Sequence, residues 1–536
     1  MSNNSFRPFI YFPILFALVL VGGIYVGVNL NAEAGHNLFK PVVKPQHHKL
    51  TEILNYIDQE YVDTVSMDSL TEETITKLLQ SLDPHSSYIP AKELQAMNEP
   101  LEGKFEGIGV EFNIIDDTIV VIAPISGGPS QKLGIQPGDR IVKIEGQTVA
   151  GTGIKSKDVM DKLRGKGGTE VNIHIFRRGA KELIEYNITR GTIPIHSIDV
   201  AFMLNAETGY IKISRFGATT YDEYLEAFEK LEKAGLKELI LDLRGNPGGY
   251  LNAANDLADE FLPNKKMIVY TEGKARPRQN HLATSNGGFE KNPIVILVDE
   301  GSASASEILA GAIQDNDRGT IIGRRTFGKG LVQEQVDLPD GSAIRLTIAR
   351  YYTPTGRSIQ KPYTHNAEEY YEEYYDRIEN GELYNKDSIQ FSDSLKFTTP
   401  GGKVVYGGGG IMPDVFVPVD TTRLSKYLSA VFSKGLVNQF AFDYADKNRA
   451  SLISYKSFEK FNQQFYISEK MLNDFVTYAE SKGVKKNDQG IKASSDYIKL
   501  QIKAIIARNI WNDEGYYPVI LSEDAILKKA LEELGK

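Results

Sequence analysis

Cysteine is absent from this chain of 536 residues. That excludes a disulfide scaffold, a thiolate nucleophile and cysteine-ligated zinc or iron–sulfur. It leaves the redox compartment open. Histidine is scarce: there are eight, scattered, with none in sequence beside the serine-rich loop described below. No G-x-S-x-G elbow, no H-E-x-x-H pair and no EF-hand loop occurs, so the usual hydrolase signatures are missing. Basic residues are fewer than acidic ones, 61 against 70, for a net charge of −9. This balance argues against a nucleic-acid partner, which would meet a basic patch. Disorder is excluded as well, because 41% of residues are apolar and only 24% charged. The length suggests about three or four domains.

The first feature present is an uncharged apolar run from Phe9 to Leu30, preceded by Arg7 and followed at a distance by Lys40. It is long enough to span a hydrocarbon core. The placement of basic charge keeps its leading end in the cytoplasm and exports the rest. Ala32-Glu33-Ala34 resembles a small-x-small cleavage site, so residues 9–30 read as a signal anchor or a cleaved signal peptide. Both readings place the remainder across the cytoplasmic membrane, in the periplasm or cell envelope.

Residues 45–100 read as a helical region. Leu50, Ile53, Leu54 and Ile57 recur at helical spacing, as do Ile75, Leu78, Leu79 and Leu82, and Asp83-Pro84 stops the second helix. From 101 to 190 the texture changes to short strands and glycine turns. Gly107-Ile108-Gly109-Val110 opens a strand, Gly134-Ile-Gln-Pro-Gly-Asp139 feeds another, and Val159 to Leu163 reads as a short helix. This joint pattern resembles a PDZ domain, which captures an extended peptide as an added strand and its terminal carboxylate on loop amides. By that resemblance the amides of Gly107, Ile108, Gly109 and Val110 are the carboxylate nest.

Residues 191–420 read as an α/β core: apolar strands at 238–243, 294–298 and 320–323, the first two running through glycine- or serine-rich loops into helices. The stretch 363–410 reads as irregular, with the acid and tyrosine pairs of 368–376 on a solvated helix face. Gly407 to Gly410 reads as a turn packed close to something. From 421 to 536 helical periodicity returns, in Leu424, Tyr427, Leu428, Val431 and Phe432 and again in Ile498, Ile502, Ile505 and Ile506. The expected fold is therefore multidomain α+β.

Two loops in the α/β core carry chemistry. In Gly301-Ser302-Ala303-Ser304-Ala305-Ser306 three serines alternate with alanine at the start of a predicted helix, where free amides and the helix dipole favour developing negative charge. Serine needs a base. With no histidine or cysteine near in sequence, lysine is the natural candidate, provided burial or a neighbouring positive charge keeps it neutral. Lys329 lies between Gly328 and Gly330, after Phe327. Gly323 to Gly330 also approaches a phosphate-binding loop, but fails at Gly330, where serine or threonine would hold magnesium. An inert peptide-binding scaffold and a hydratase-type use of the same core are the other readings these residues leave open.

The segments 301–307 and Thr326-Phe-Gly-Lys-Gly-Leu-Val-Gln333, together with Ser81-Leu-Asp-Pro-His-Ser86 and Leu241-Asp-Leu-Arg-Gly-Asn-Pro-Gly-Gly249, are similar to the carboxyl-terminal processing peptidases. These are tail-specific Ser–Lys proteases of family S41. The resemblance covers roughly 50–420. It implies a ClpP/crotonase-like peptidase core, no metal and no cofactor. The nucleophile it implies is Ser304, the general base Lys329, and the residue orienting the amine Gln333. Glu307 is a supporting residue. The oxyanion hole is the amide of Ala305 with one from Gly248 or Gly249. Arg164 matches the arginine through which the PDZ domain gates the site. The implied partners are protein or peptide substrates with free, apolar C-termini. The C-terminal domain is open to reading as a homo-oligomer contact, an adaptor platform or a lid.

Overall fold

The computed structural model describes residues 48–363 and 367–535. The apolar run Phe9 to Leu30 lies outside them. The chain divides into one unit through Lys77 and a second from Leu78 onward. The first contributes helix His48–Glu60 and most of helix Met67–Gln80, where the 3.6-residue apolar spacing predicts them. No helix among the described residues is long and apolar enough to cross a membrane.

In the second unit, six antiparallel strands between Val110 and Thr189 form one sheet, five of them in the order 110–115, 118–124, 140–144, 170–176, 184–189 and the sixth, Gln147–Thr148, paired with 140–144. Helix Ser156–Leu163 packs Val159 and Leu163 against Ile119, Val121, Ile141 and Ile173. This is the arrangement expected from the resemblance to a PDZ domain. Among the described residues, strand Val110–Ile115 is at the sheet's edge and pairs only with Thr118–Pro124. Its outer edge is the kind a peptide strand extends.

The central sheet runs in the order 198–203, 208–213, 238–242, 294–298, 320–323, 415–416, parallel except for its first strand. Its strands are apolar almost without interruption because both faces are covered. Leu239, Leu241, Ile294, Ile296 and Val298 face the helices at 220–233, 251–259 and 305–315. Ile240, Val295, Leu297 and Ile322 face the other way, onto Val417, Leu521, Ile526 and Leu527. So the last helix, Ala525–Glu533, completes the α/β core. The expected C-terminal domain holds its own helical core only from Tyr427 to about Val519.

A second correction falls at the other end of the α/β core. Ser87–Ile89, inside the expected helical region, is a strand paired with the leading residues of strand Ala343–Tyr352, Ala343 to Arg345. Three residues carry no periodicity, and their partner is more than 250 residues away. A third concerns helix Ala367–Glu379, whose acid and tyrosine pairs are expected on a solvated face. Its Tyr370 and Arg377 are buried, so one face of it is not solvated.

Candidate active site

The serine loop leaves strand Ile294–Val298 at its C-terminal end, where open α/β sheets place their ligands. Its three serines separate by geometry. Ser302 Oγ donates to Leu243 O at 2.9 Å and Ser306 Oγ to Asn246 O at 3.0 Å, both fully buried. These two hold the loop. Ser304 lines a cavity of about 470 Å³ together with Gly248, Gly249, Lys329 and Gln333. It is also strained, with φ 53° and ψ −112° at the N-cap of helix Ala305–Asp315. A non-glycine residue in such a region costs on the order of 1–3 kcal/mol and persists only where its surroundings impose it.

Glu307 supplies much of that imposition. It is fully buried. Its Oε2 accepts from the amides of Ser304 and Lys329, each at 2.9 Å, and its Oε1 from Thr326 Oγ1 at 2.5 Å and Gly328 N at 2.7 Å. Burial pushes its carboxyl up to about 7, against the pull of those four donors. Tyr351 repeats the tie from the other side, its hydroxyl donating to Ser304 O at 3.1 Å and Lys329 O at 2.5 Å. The serine loop and the lysine loop are thus fastened at two points.

Lys329 Nζ donates to Gln333 Oε1 at 2.9 Å. Gln333 Nε2 donates to the backbone carbonyl of His85 at 2.5 Å. Burial, then the nearby Arg345 guanidinium, holds the Lys329 amine below its ordinary range. The turn that offers the His85 carbonyl is built by Asp83. Its carboxylate accepts from His85 N, Ser86 N, Ser86 Oγ and Thr347 Oγ1. Sequence reading places neither Asp83 nor His85 in the site.

The two glycines of the implied oxyanion hole also differ. Gly248 N donates to Asn246 Oδ1 at 2.9 Å, whereas the amides of Gly249 and Ala305 make no hydrogen bond among the described residues. Gly248 fills a different need. At φ 97° a Cβ there would lie 2.7 Å from Ser304 Cβ and 2.9 Å from Ala305 N. Only glycine lets this turn approach the serine so closely.

Residues 207–367 match Peptidase family S41, residues 107–188 match the PDZ domain, and residues 427–512 match a family of unknown function. The chain is 37% identical to the carboxy-terminal-processing protease of Bartonella bacilliformis, over 58% of this chain and 71% of that one. It is 32% identical to the carboxy-terminal processing protease CtpB of Bacillus subtilis, over 63% and 72%. The chain belongs to the carboxy-terminal processing proteases of family S41. It is a serine protease of that family and carries a PDZ domain.

Within this processing protease, the loop expected to nest a carboxylate is fixed from behind. Ser130 donates to Ile108 O through both N and Oγ, and Ile125 N donates to Gly109 O. Gly109 has φ 74°, and Gly107 lies against Leu163 O and the Cα of Arg164, so the loop meets the end of helix Ser156–Leu163. Arg164 does not reach the lysine. Its Nη1 pairs with Glu99 at 2.5 Å and its guanidinium stacks over Phe105. Helix Ala91–Glu102, which carries Glu99, also carries Asn98, Leu101 and Glu102 into the wall of the cavity.

The tyrosine-rich helix Ala367–Glu379 covers the lysine loop. Arg377 donates to Thr326 O and Phe327 O at 2.8 and 3.0 Å, and Glu373 gathers Arg325, Arg377 and Lys361. Gly410 closes the same loop, since a Cβ there would stand 2.6 Å from Thr326 O. Of the expected close packing at 407–410, that of Gly410 is against this loop, whereas Gly407 stands against Ser358 O and Gly408 against Leu395.

Proposed function

We propose that this protease cuts protein tails by a Ser304–Lys329 acyl-enzyme mechanism, with the PDZ domain holding the free C-terminus. The observation that carries the reading is the convergence of Ser304, Lys329, Gln333 and Gly249 on one cavity. Neutral Lys329 takes the proton of Ser304 Oγ, and the oxygen attacks the substrate carbonyl. The oxyanion is met by the amides of Ala305 and Gly249. The tetrahedral intermediate collapses, Lys329 returns its proton to the leaving amine, and the acyl-enzyme remains. Lys329 then deprotonates water, which releases the acyl group. No hydrogen bond joins Ser304 Oγ to Lys329 Nζ in this state, and the amine turns to Gln333 instead.

The edge strand Val110–Ile115 and the loop at 107–110 support recognition of an extended peptide with a free carboxylate. The run Phe9 to Leu30 supports an exported, membrane-attached enzyme of the periplasm or cell envelope.

The test compares the full chain with Ser304→Ala on a peptide with an apolar tail, once with a free carboxylate and once amidated. Cleavage that needs both Ser304 and the free carboxylate supports the scheme. Cleavage that survives Ser304→Ala removes the nucleophile assignment. Binding without cleavage by the unaltered chain favours an inert scaffold. Fractionation of cells, with protease added to spheroplasts, tests the location.

A further inference from the structure

Arg345 stands on the strand Ala343–Tyr352 and lines the cavity with Ser304, Lys329 and Gln333. It is half-buried. Its Nη2 donates to Asn98 Oδ1 at 2.8 Å and its Nε to Gln335 Oε1 at 3.3 Å. Both acceptors are neutral amides. Other arginines around the loops have carboxylates: Arg244 has Asp242, Arg325 has Glu382, Arg357 has Asp315 and Arg377 has Glu373. A half-buried guanidinium without a counter-charge costs stability. It shares the cavity wall with Lys329, whose partner Gln333 lies two residues before Gln335 on the same strand.

Two cations in one cavity cannot be equal partners. Arginine does not lose its proton in proteins, so the lysine yields. We propose that Arg345 is a positioning residue for the reaction, whose fixed charge keeps the neighbouring Lys329 amine free of its extra proton. The proposal rests on the Ser304–Lys329 reading above. Asn98 on helix Ala91–Glu102 sets where that charge sits.

Other groups around Lys329 pull in both directions. Asp83, from the turn before Ser87–Ile89, and Glu307, from the serine helix, favour the protonated amine. His85, from the same turn as Asp83, is neutral at ordinary pH because burial and Lys329 hold it at about 4. Glu102 lines the cavity from helix Ala91–Glu102, and the phenols of Tyr250 and Tyr351 complete the wall. Arg345 is the fixed cation in this set, and it offsets the two carboxylates named first.

The experiment compares Arg345→Met and Arg345→Lys with the parent across pH. In the Ser304→Ala background, Lys329 is labelled with an amine-selective acylating reagent and its modification is read by mass spectrometry. The expected result is a labelling midpoint about one pH unit higher in R345M and unchanged in R345K. In the active chain the acid limb of kcat/KM on a tail peptide moves up by the same amount. Cleavage one unit below the parent's midpoint then falls about tenfold in R345M. An unmoved midpoint in R345M overturns the proposal, as does a uniform loss of kcat/KM with no shift of the limb. If R345M yields no folded protein, R345Q carries the same test. Failure of the dyad itself reads differently: Lys329→Met would retain cleavage, whatever Arg345 does.

Discussion

The backbone amides of Ser304 and Lys329 donate to one oxygen, Glu307 Oε2, each at 2.9 Å. The two residues proposed to exchange a proton are therefore held to a common point by a third side chain. All four hydrogen-bond partners of Glu307 act as donors. In Glu307→Gln an NH2 group must face at least one backbone N–H. Each unmet buried donor costs roughly 1–3 kcal/mol. The variant is expected to melt several degrees lower, and to lose most of kcat while its KM for a tail peptide changes little. Thermal melts and steady-state kinetics check both. A Glu307→Gln enzyme with parental kcat would show that the tie does not position the loops.

Ser304 holds φ 53° without being a glycine. Ser304→Ala keeps the strained backbone and loses the hydroxyl, whereas Ser304→Gly loses both the hydroxyl and the strain. Neither is expected to cleave. The glycine variant is expected to be the more stable of the two by about 1 kcal/mol, read as a higher denaturation midpoint. Equal stabilities, or a less stable glycine variant, would mean that the backbone at 304 stores no strain.

The site was legible where its chemistry sits in short loops. Ser304, Lys329 and Gln333 fall within two segments, and the structure brings those segments together. Glu307 was visible as well, yet a glutamate in a first helical turn also has the bland reading of complementing the dipole. The missed signal was the helix itself. Ile308 to Ile313 is apolar or glycine throughout, so a glutamate at its head has no water and must find donors. Tyr370, Glu373 and Arg377 likewise recur at i, i+3, i+7, an inward stripe hidden among exposed acids and tyrosines. His85 gave no such signal. Its role comes through its backbone carbonyl and a partner 248 residues away. The last helix was implied only indirectly, by strands too apolar to have one face in water.

His85 makes the stability of the fold depend on pH. Burial, then the Lys329 charge, lowers its imidazole from 6.5 to about 4. The unfolded chain binds that proton first, so stability is complete above about 6.5 and declines as pH falls toward 4. At about 1.4 kcal/mol per unit the loss is at most about 3.5 kcal/mol. His85→Gln keeps the backbone carbonyl that Gln333 uses. It is expected to cleave normally at neutral pH and to lose less stability between pH 6.5 and 4 than the parent. Melting temperatures across that range decide the point. An unchanged slope would assign the acid sensitivity to other groups.

The clamp on the lysine loop lies outside the family match, which ends at residue 367. Arg377 is buried, and its guanidinium satisfies the carbonyls of Thr326 and Phe327 while pairing with Glu373 at 2.7 Å. Arg377→Met keeps much of the stem volume and removes the donors. Two buried carbonyls then lose their partner, and Glu373 keeps only Arg325 and Lys361. A buried pair broken on one side costs roughly 3–5 kcal/mol. The larger consequence is local. Thr326 is the link from Glu307 to Ile411 N, so loosening its carbonyl loosens the segment that carries Lys329. The expected outcome is faster amide hydrogen exchange confined to 326–330 and 367–379, with kcat reduced about tenfold or more and unaltered binding of a tail peptide to the PDZ domain. Global unfolding would give exchange everywhere and abolish that binding. Unchanged exchange at 326–330 would show that the loop holds its shape without the helix.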